Sequence, residues 1–387
     1  MHKTSTLLLI ILLCVFCCKH LQAQPAEQAL TDLLTAQLNM KGKRPVPNFM
    51  VYALNRKKGL EVHLGLGIKG RNEDAIEKDY QFRIASITKT FVSTIILQLK
   101  EEGKLRLEDK VSTYLSAVDS IRYDDFHFFE GSPYAADIDI EMLLQHRSGI
   151  ADIFTDAETR FNLSVLTHKK RHFSPKKVVD LFFKYKLHKK ALFKPGEGNH
   201  YSDMNYMLLG FIIEQIEGMP LHEAYRKRIL DPLAMKNTYH EYLEAPRGTL
   251  KQIDAYLNRI NLTQKVNTSY EWAGGGLISS TRDLGIFIQA IFDLKLFKEK
   301  STLMEMISLE KNQKFDKEAG MGIFHYELGG MDFYGHGGYY GSLLIFNPKE
   351  EILLSINVGQ ANAPFDAEQL VSKMVEIMAD PISEKKD

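Results

Sequence analysis

Strand-forming signals sit at the two ends of this 387-residue chain and helix-forming ones between them. That split constrains the fold more than any single motif. Phe49 to Leu54 and Leu60 to Ile68 flank the turn-forming Arg56-Lys57-Lys58-Gly59, and Tyr340 to Phe346 and Ile352 to Val358 flank Asn347-Pro348-Lys349-Glu350. Each pair reads as a β-hairpin. Hairpins at opposite ends bury their apolar faces by pairing into one antiparallel sheet with helices packed on it, the helical middle forming an insertion. The expected fold is α+β: an antiparallel sheet flanked by helices over about residues 24–110 and 250–380, with an all-helical lobe over about 111–249. The apolar fraction of 44% is enough for a globular core.

Chemistry enters at Ser86-Ile87-Thr88-Lys89. Phe82 to Ala85 suits an extended segment, whereas Phe91, Val92, Ile95, Ile96 and Leu99 recur at the spacing of one helix face. Ser86 is therefore expected at a helix start, near unpaired backbone N–H groups that favour developing negative charge, with Lys89 one turn on and on the same face. A serine hydroxyl needs a neighbouring base or charged partner to act as a nucleophile. The bland alternative is that Ser86 is only an N-cap. Other Ser-x-x-Lys matches have structural accounts. Ser174-Pro175 is a cap followed by proline at the first helical position, Ser308 lies in an ordinary helical run, and Ser383 falls in the polar last residues.

Further motifs follow in order: Leu143-Leu144-Gln145-His146-Arg147-Ser148-Gly149, Lys194-Pro195-Gly196 leading to Tyr201-Ser202-Asp203 and Leu208-Leu209-Gly210, Gly274-Gly275-Gly276-Leu277-Ile278-Ser279-Ser280, and Gly335-His336-Gly337-Gly338. Together with Ser86 to Lys89 this series resembles the serine β-lactamase and penicillin-binding protein superfamily, in its class C-like branch, which includes D-amino-acid peptidases and esterases. The resemblance covers roughly residues 30–380. It implies the same α+β fold, a site in the groove between sheet and helical lobe, Ser86 as nucleophile, and Lys89 and Tyr201 sharing acid and base work, with the base left open between them. It prefers Tyr201 to Tyr256, whose Tyr256-Leu257-Asn258 also fits a Tyr-x-Asn pattern. It also implies an oxyanion hole from the backbone N–H groups of Ser86 and Tyr339, and substrate contacts at Asp203, His336, Gly337 and Gly338. The two glycines let a substrate approach the strand closely; their alternative is a bulge.

Two departures matter. Asp203 stands where many relatives have Asn, and an ionised carboxylate cannot donate a hydrogen bond but can pair with Lys89. His336-Gly337-Gly338 stands where β-lactamases have Lys-Thr-Gly, which puts β-lactam chemistry in doubt more than catalysis. With an ordinary histidine pKa of about 6.5, His336 is expected to give a pH limb near neutrality. The implied activity is hydrolysis of a small ester or a D-alanyl or D-amino-acid peptide through an acyl-enzyme. The alternatives are a catalytically silent penicillin- or cell-wall-binding sensor and a weak class C-like β-lactamase.

Lys3 and the apolar run Leu7 to Phe16, ending at Leu21-Gln22-Ala23, read as a secretory signal over 1–23, too short to span a bilayer. Export to the periplasm or outside is expected, and 381–387 reads as a polar tail. All three cysteines, Cys14, Cys17 and Cys18, lie in or beside the signal, so the mature chain is expected to have no disulfide. Lipidation at Cys17 or Cys18 is the alternative, weakened by the bulky Phe16. A formal net charge of zero suggests no nucleic-acid partner. The stretch His168 to Lys194 holds ten Lys or Arg and one acid, Asp180; it is either an attractor of acidic polymers or, as favoured, the solvated face of an amphipathic helix. No zinc-type spacing occurs among the histidines, and no metal or cofactor is expected. The expected partner is a small-molecule or peptide substrate, a cell-wall peptide among the candidates. His146 reads as structural. Tyr270 and Trp272 read as core or groove lining, and Asp124 to Glu130 as a groove rim or a cover over apolar surface.

Overall fold

The computed structural model describes residues 25–380 except 70–74, 77, 119, 168–171 and 313–316. The signal run, the cysteines, Ser383 and the tail lie outside the described residues. Eight strands form one antiparallel sheet: β1 (Asn48–Asn55), β2 (Leu60–Gly67), β3 (Glu310–Asn312), β4 (Lys317–Ala319), β5 (Phe324–Leu328), β6 (Met331–Gly338), β7 (Ser342–Asn347) and β8 (Ile352–Val358). Their order is β3-β4-β5-β6-β7-β8-β1-β2. Both expected hairpins are present, and β1 joins the chain ends by lying against β8, with Phe49 opposite Val358 and Asn55 opposite Ile352.

Side chains alternate across these strands, as the two-residue period requires. Phe49, Val51 and Ala53 enter one apolar core with Ile345, Leu354 and Ile356, beneath α1 (25–35) and α5 (Ala367–Ala379). Met50 and Tyr52 enter the other, with Leu344, Phe346 and Leu353. That second core also contains the buried faces of α2 (Thr88–Glu101), α3 (Asp203–Glu217) and α4 (Thr281–Phe292).

The apolar stripe of α2 suggests a one-faced helix, but the structure buries it on almost every side. Thr88, Lys89, Thr90, Ser93 and Thr94 are buried along with the apolar residues. Their hydroxyls are satisfied locally: Thr90 donates to the Gly322 carbonyl at 2.7 Å, Thr94 to the Thr90 carbonyl at 2.8 Å, and Ser93 meets the Tyr206 hydroxyl at 3.1 Å. A rigid central helix results, and its first turn carries the site.

The stretch 111–249 is not all-helical: its helices are accompanied by short strands. Phe128–Phe129 pairs with Ser132–Pro133, and Tyr239–His240 joins a three-stranded sheet with Phe82–Arg83 and Leu277–Ser279. Asp124 to Glu130 covers apolar surface: Phe126 is buried and stacks on Phe182 at 4.8 Å. Helix Pro175–Lys184 is capped by Ser174 and buries Val178, Val179, Leu181 and Phe182, while Lys176 pairs with Asp180 at the exposed face. The basic stretch is thus a solvated helix face where described. The helix Lys300–Met306 ends before Ser308.

Candidate active site

Ser86 stands in the single 3-10 turn Ala85–Ile87 between strand Phe82–Arg83 and α2. Ala85 is held at φ +47°, a conformation costly for a residue with a Cβ, so the surrounding structure fixes this turn. The cap reading fails: Ile84 and Ile87 occupy the N-cap positions, and neither makes a side-chain cap bond. Instead the Ser86 hydroxyl oxygen accepts from Lys89 Nζ at 3.2 Å.

Lys89 is wholly buried. Its ammonium also donates to Asp203 Oδ1 at 2.5 Å and to the Gly274 carbonyl at 2.7 Å, so three acceptors hold it. Burial works against the charge, but the Asp203 carboxylate and Tyr201 outweigh it and raise the Lys89 pKa. The expected Lys89–Asp203 pairing is therefore present. Gly274 must be glycine here, because a Cβ would come within 2.7 Å of Asp203 Oδ1.

Tyr201 lies in the loop before α3, over whose ring Lys89 Nζ sits at 5.0 Å, and its hydroxyl interacts with Lys89 and Ser86. Burial raises its pKa, opposed by the Lys89 charge, and keeps it a phenol. His146, at φ +59°, stacks on Tyr201 with ring centroids 4.2 Å apart, and its Nδ1 accepts the Ser202 N–H at 3.1 Å. His146 is structural as expected, yet its role is to set the Tyr201 loop. Buried Asp152 fixes the next residue, accepting the Asp203 N–H at 2.6 Å.

Strand β6 closes the other wall. Gly338 rests on the Ser86 turn so closely that a Cβ would meet the Ile84 carbonyl at 2.2 Å, and the Ser342 hydroxyl donates to that same carbonyl at 3.0 Å. Gly337 is different: nothing lies within 3.8 Å of where its Cβ would be. Tyr339, in the turn after β6, is exposed and lines the groove with Ser86. His336 is buried against Phe324, and its Nδ1–H donates to the Gly337 carbonyl at 2.6 Å. Burial, with Lys89 adding to it, pushes the His336 pKa down to about 3. The expectation of a titration near neutrality is corrected: His336 is a neutral imidazole across the physiological range.

These residues border a groove of about 700 Å³ that contains Ser86, Tyr201, Asp203, His336, Gly337, Gly338 and Tyr339, with Lys89 beneath it. Tyr256 is elsewhere, paired with Asn261 in a two-stranded ribbon. Of the two aromatics left open, Trp272 is core and Tyr270 lines the groove against Phe154 and Phe161. Between them lies a residue that sequence reading passes over, Glu271, which also lines the groove. Its signal was an acid set between two aromatics, three residues before the glycine run Gly274-Gly275-Gly276.

The family model for Beta-lactamase matches residues 50–372. The chain belongs to the beta-lactamase family. A curated relative of this beta-lactamase-family protein is a putative D-alanyl-D-alanine carboxypeptidase from Salmonella paratyphi A, 26% identical over 317 residues, covering 73% of this chain and 70% of the relative. Among solved structures it resembles a D-stereospecific amidohydrolase from Streptomyces sp., with TM-score 0.70 and 23% identity over 91% of this chain and 98% of that one. It also resembles the D-amino acid amidase from Ochrobactrum anthropi SV3, with TM-score 0.74 and 21% identity over 93% of this chain and 98% of that one. The α+β fold and the serine-hydrolase class of this family are those expected from the motif series.

Proposed function

We propose that this serine hydrolase cleaves an ester or amide of a D-amino-acid type by acylating Ser86 and then hydrolysing the acyl-enzyme. The observation that supports this best is the Ser86 hydroxyl on a buried ammonium, with Tyr201 in contact with both, at the floor of an open groove. Lys89, held as an ammonium by Asp203, has no lone pair to offer Ser86. Tyr201 is the better base, because a phenolate formed beside that ammonium is stabilised as the serine proton moves to it; the same phenol then returns a proton to the leaving group. The backbone N–H groups of Ser86 and Tyr339 are proposed as the oxyanion donors, a contribution worth about 100- to 1000-fold in rate for one donor. Asp203, His336, Gly337 and Gly338 are proposed to border the bound substrate. The retained Ser86, Lys89 and Tyr201 favour turnover over a silent sensor.

The groove has no lysine or arginine among its described lining residues. It offers little to the carboxylate of a β-lactam or of a peptide C-terminus, since His336 is neutral and Gly337 has no side chain. Export belongs to the same proposal and rests on the apolar run near residue 10; the N-terminus of the protein recovered from a periplasmic fraction checks it. The deciding experiment is active-site labelling with a fluorophosphonate, alongside turnover of p-nitrophenyl esters, D-amino-acid amides, D-Ala-D-Ala peptides and a chromogenic cephalosporin. Label is expected on the Ser86 peptide and absent in Ser86→Ala, with esters and D-amino-acid amides ahead of the cephalosporin in kcat/KM. Undiminished labelling in Ser86→Ala, or the cephalosporin as best substrate, overturns the reading.

A further inference from the structure

Glu271 is a groove-lining carboxyl whose surroundings neither the family motifs nor the catalytic reading explain. Its Oε1 accepts the Tyr340 hydroxyl. Its Oε2 lies over Gly275, where a Cβ would come within 2.8 Å, and accepts no hydrogen bond from the described residues. Gly275 also lines the groove.

The nearest guanidinium does not neutralise this acid. Arg83 is bound in fork geometry to Glu241, Nε to Oε2 at 2.8 Å and Nη2 to Oε1 at 3.0 Å, and is only 3% exposed. Lys89, which is also buried, is taken up by Asp203. The lining therefore holds Glu271 and, at its exposed rim, Glu158, without a free cation opposite them among the described residues.

We propose that Glu271 is a substrate-recognition residue that binds a cationic group of the acyl donor, the free ammonium of an amino-acid amide or ester, through its Oε2. This rests on reading the groove as the site of Ser86 acyl transfer. A carboxylate oxygen that borders the groove and is engaged by no donor of the described residues is placed to take a charge-assisted hydrogen bond from a ligand ammonium. A site built to pair such a group discriminates strongly against an analogue that lacks the donor. The groups facing Glu271 are Tyr340, Arg83, Glu241, Asp203, Tyr270 and Tyr339. Burial among them raises its pKa to about 8. An empty site at pH 6.5 is thus protonated, and ammonium binding releases that proton to solvent.

The test uses the full chain carrying Ser86→Ala, so that binding is read without turnover. Calorimetry compares phenylalaninamide, both enantiomers, with the N-acetylated compounds at pH 6.5, in two buffers of different ionisation enthalpy. The free-ammonium ligand is expected to bind at least tenfold more tightly and to release close to one proton. Adding Glu271→Gln is expected to abolish both the preference and the release, whereas Glu271→Asp, which keeps the carboxyl and guards against a folding artefact, retains part of the preference. Equal affinity for the two ligands, or a preference unchanged by Glu271→Gln, overturns the proposal. Turnover is read separately on the wild-type chain: if no ester or amide is cleaved in a Ser86-dependent way, the hydrolase reading fails, while the ammonium preference still decides the role of Glu271.

Discussion

At the scale of single residues, the proposed chemistry turns on the charge of Lys89. With Asp203 at 2.5 Å it is an ammonium in the resting protein, so removing it strips both a donor to Ser86 and the field that favours a Tyr201 phenolate. Lys89→Ala and Tyr201→Phe are each expected to lower turnover of a p-nitrophenyl ester by about 100-fold or more, the usual worth of a positioned acid–base group; wild-type rates in either variant remove that residue from the mechanism. His336 behaves otherwise. With a pKa near 3 it stays neutral from pH 5 to 8, so His336→Gln is expected to leave the shape of the pH–rate profile in that window unchanged, even where the rate falls. A limb near pH 6.5 that disappears in the variant contradicts this. The Lys89–Asp203 pair was legible in the sequence because an acid stands two residues after the tyrosine of a known motif. The neutrality of His336 was not, because it depends on burial against Phe324, a contact no local pattern reports. Glu271 was passed over because its place on the groove depends on tertiary packing, and an acid between two aromatics is by itself a weak pattern.

At the scale of elements, the site is a junction between one turn and one strand. The two terminal hairpins were legible because their alternation and turn residues are local, and placing strands at both ends already suggests that they pair. Strands β3 and β4, three residues each, carry too little pattern to be read, as does the Phe128–Phe129 ribbon. The two glycines after His336 looked equivalent in the sequence, yet β6 uses them differently. Gly338 is needed for packing on the Ile84 carbonyl, while Gly337 faces open groove. Gly338→Ala is expected to push β6 off the Ser86 turn, at about 1–3 kcal/mol for overpacking, lowering the melting temperature and turnover together. Gly337→Ala is expected to melt like the parent and to change KM alone. Circular-dichroism melts with ester kinetics distinguish the two; equal melting temperatures for both variants count against this docking.

At the scale of the whole molecule, opposed buried groups set the pH dependence of stability. Burial lowers His240 to about 4 and His336 to about 3, and raises Glu271 to about 8 and Asp79 to about 7. In the unfolded chain histidine titrates near about 6.5 and carboxyls near about 4. Between about pH 4.5 and 6.5 the lowered histidines, with His63, His127 and His188 acting in the same direction, and the raised carboxyls, with Glu214 and Asp283 acting in the same direction, oppose one another, so stability depends least on pH there. Above about 6.5 the histidines are neutral in both states. The native carboxyls alone then hold extra protons, and stability falls as pH rises through 7 and 8, by about 1.4 kcal/mol per unit for each group still protonated. Below about 4.5 the unfolded carboxyls also gain protons while the histidine imbalance persists, and stability falls toward pH 3. Melting temperatures across pH 3 to 9 are expected to show a plateau from about 4.5 to 6.5 with a decline on both sides. Glu271→Gln, which removes one raised carboxyl, is expected to soften the alkaline decline and to start the acid decline at a higher pH, because the histidines are then less fully opposed between about pH 4.5 and 6.5. A melting temperature that climbs steadily from pH 5 to 8 means that these carboxyls are ionised in the native protein.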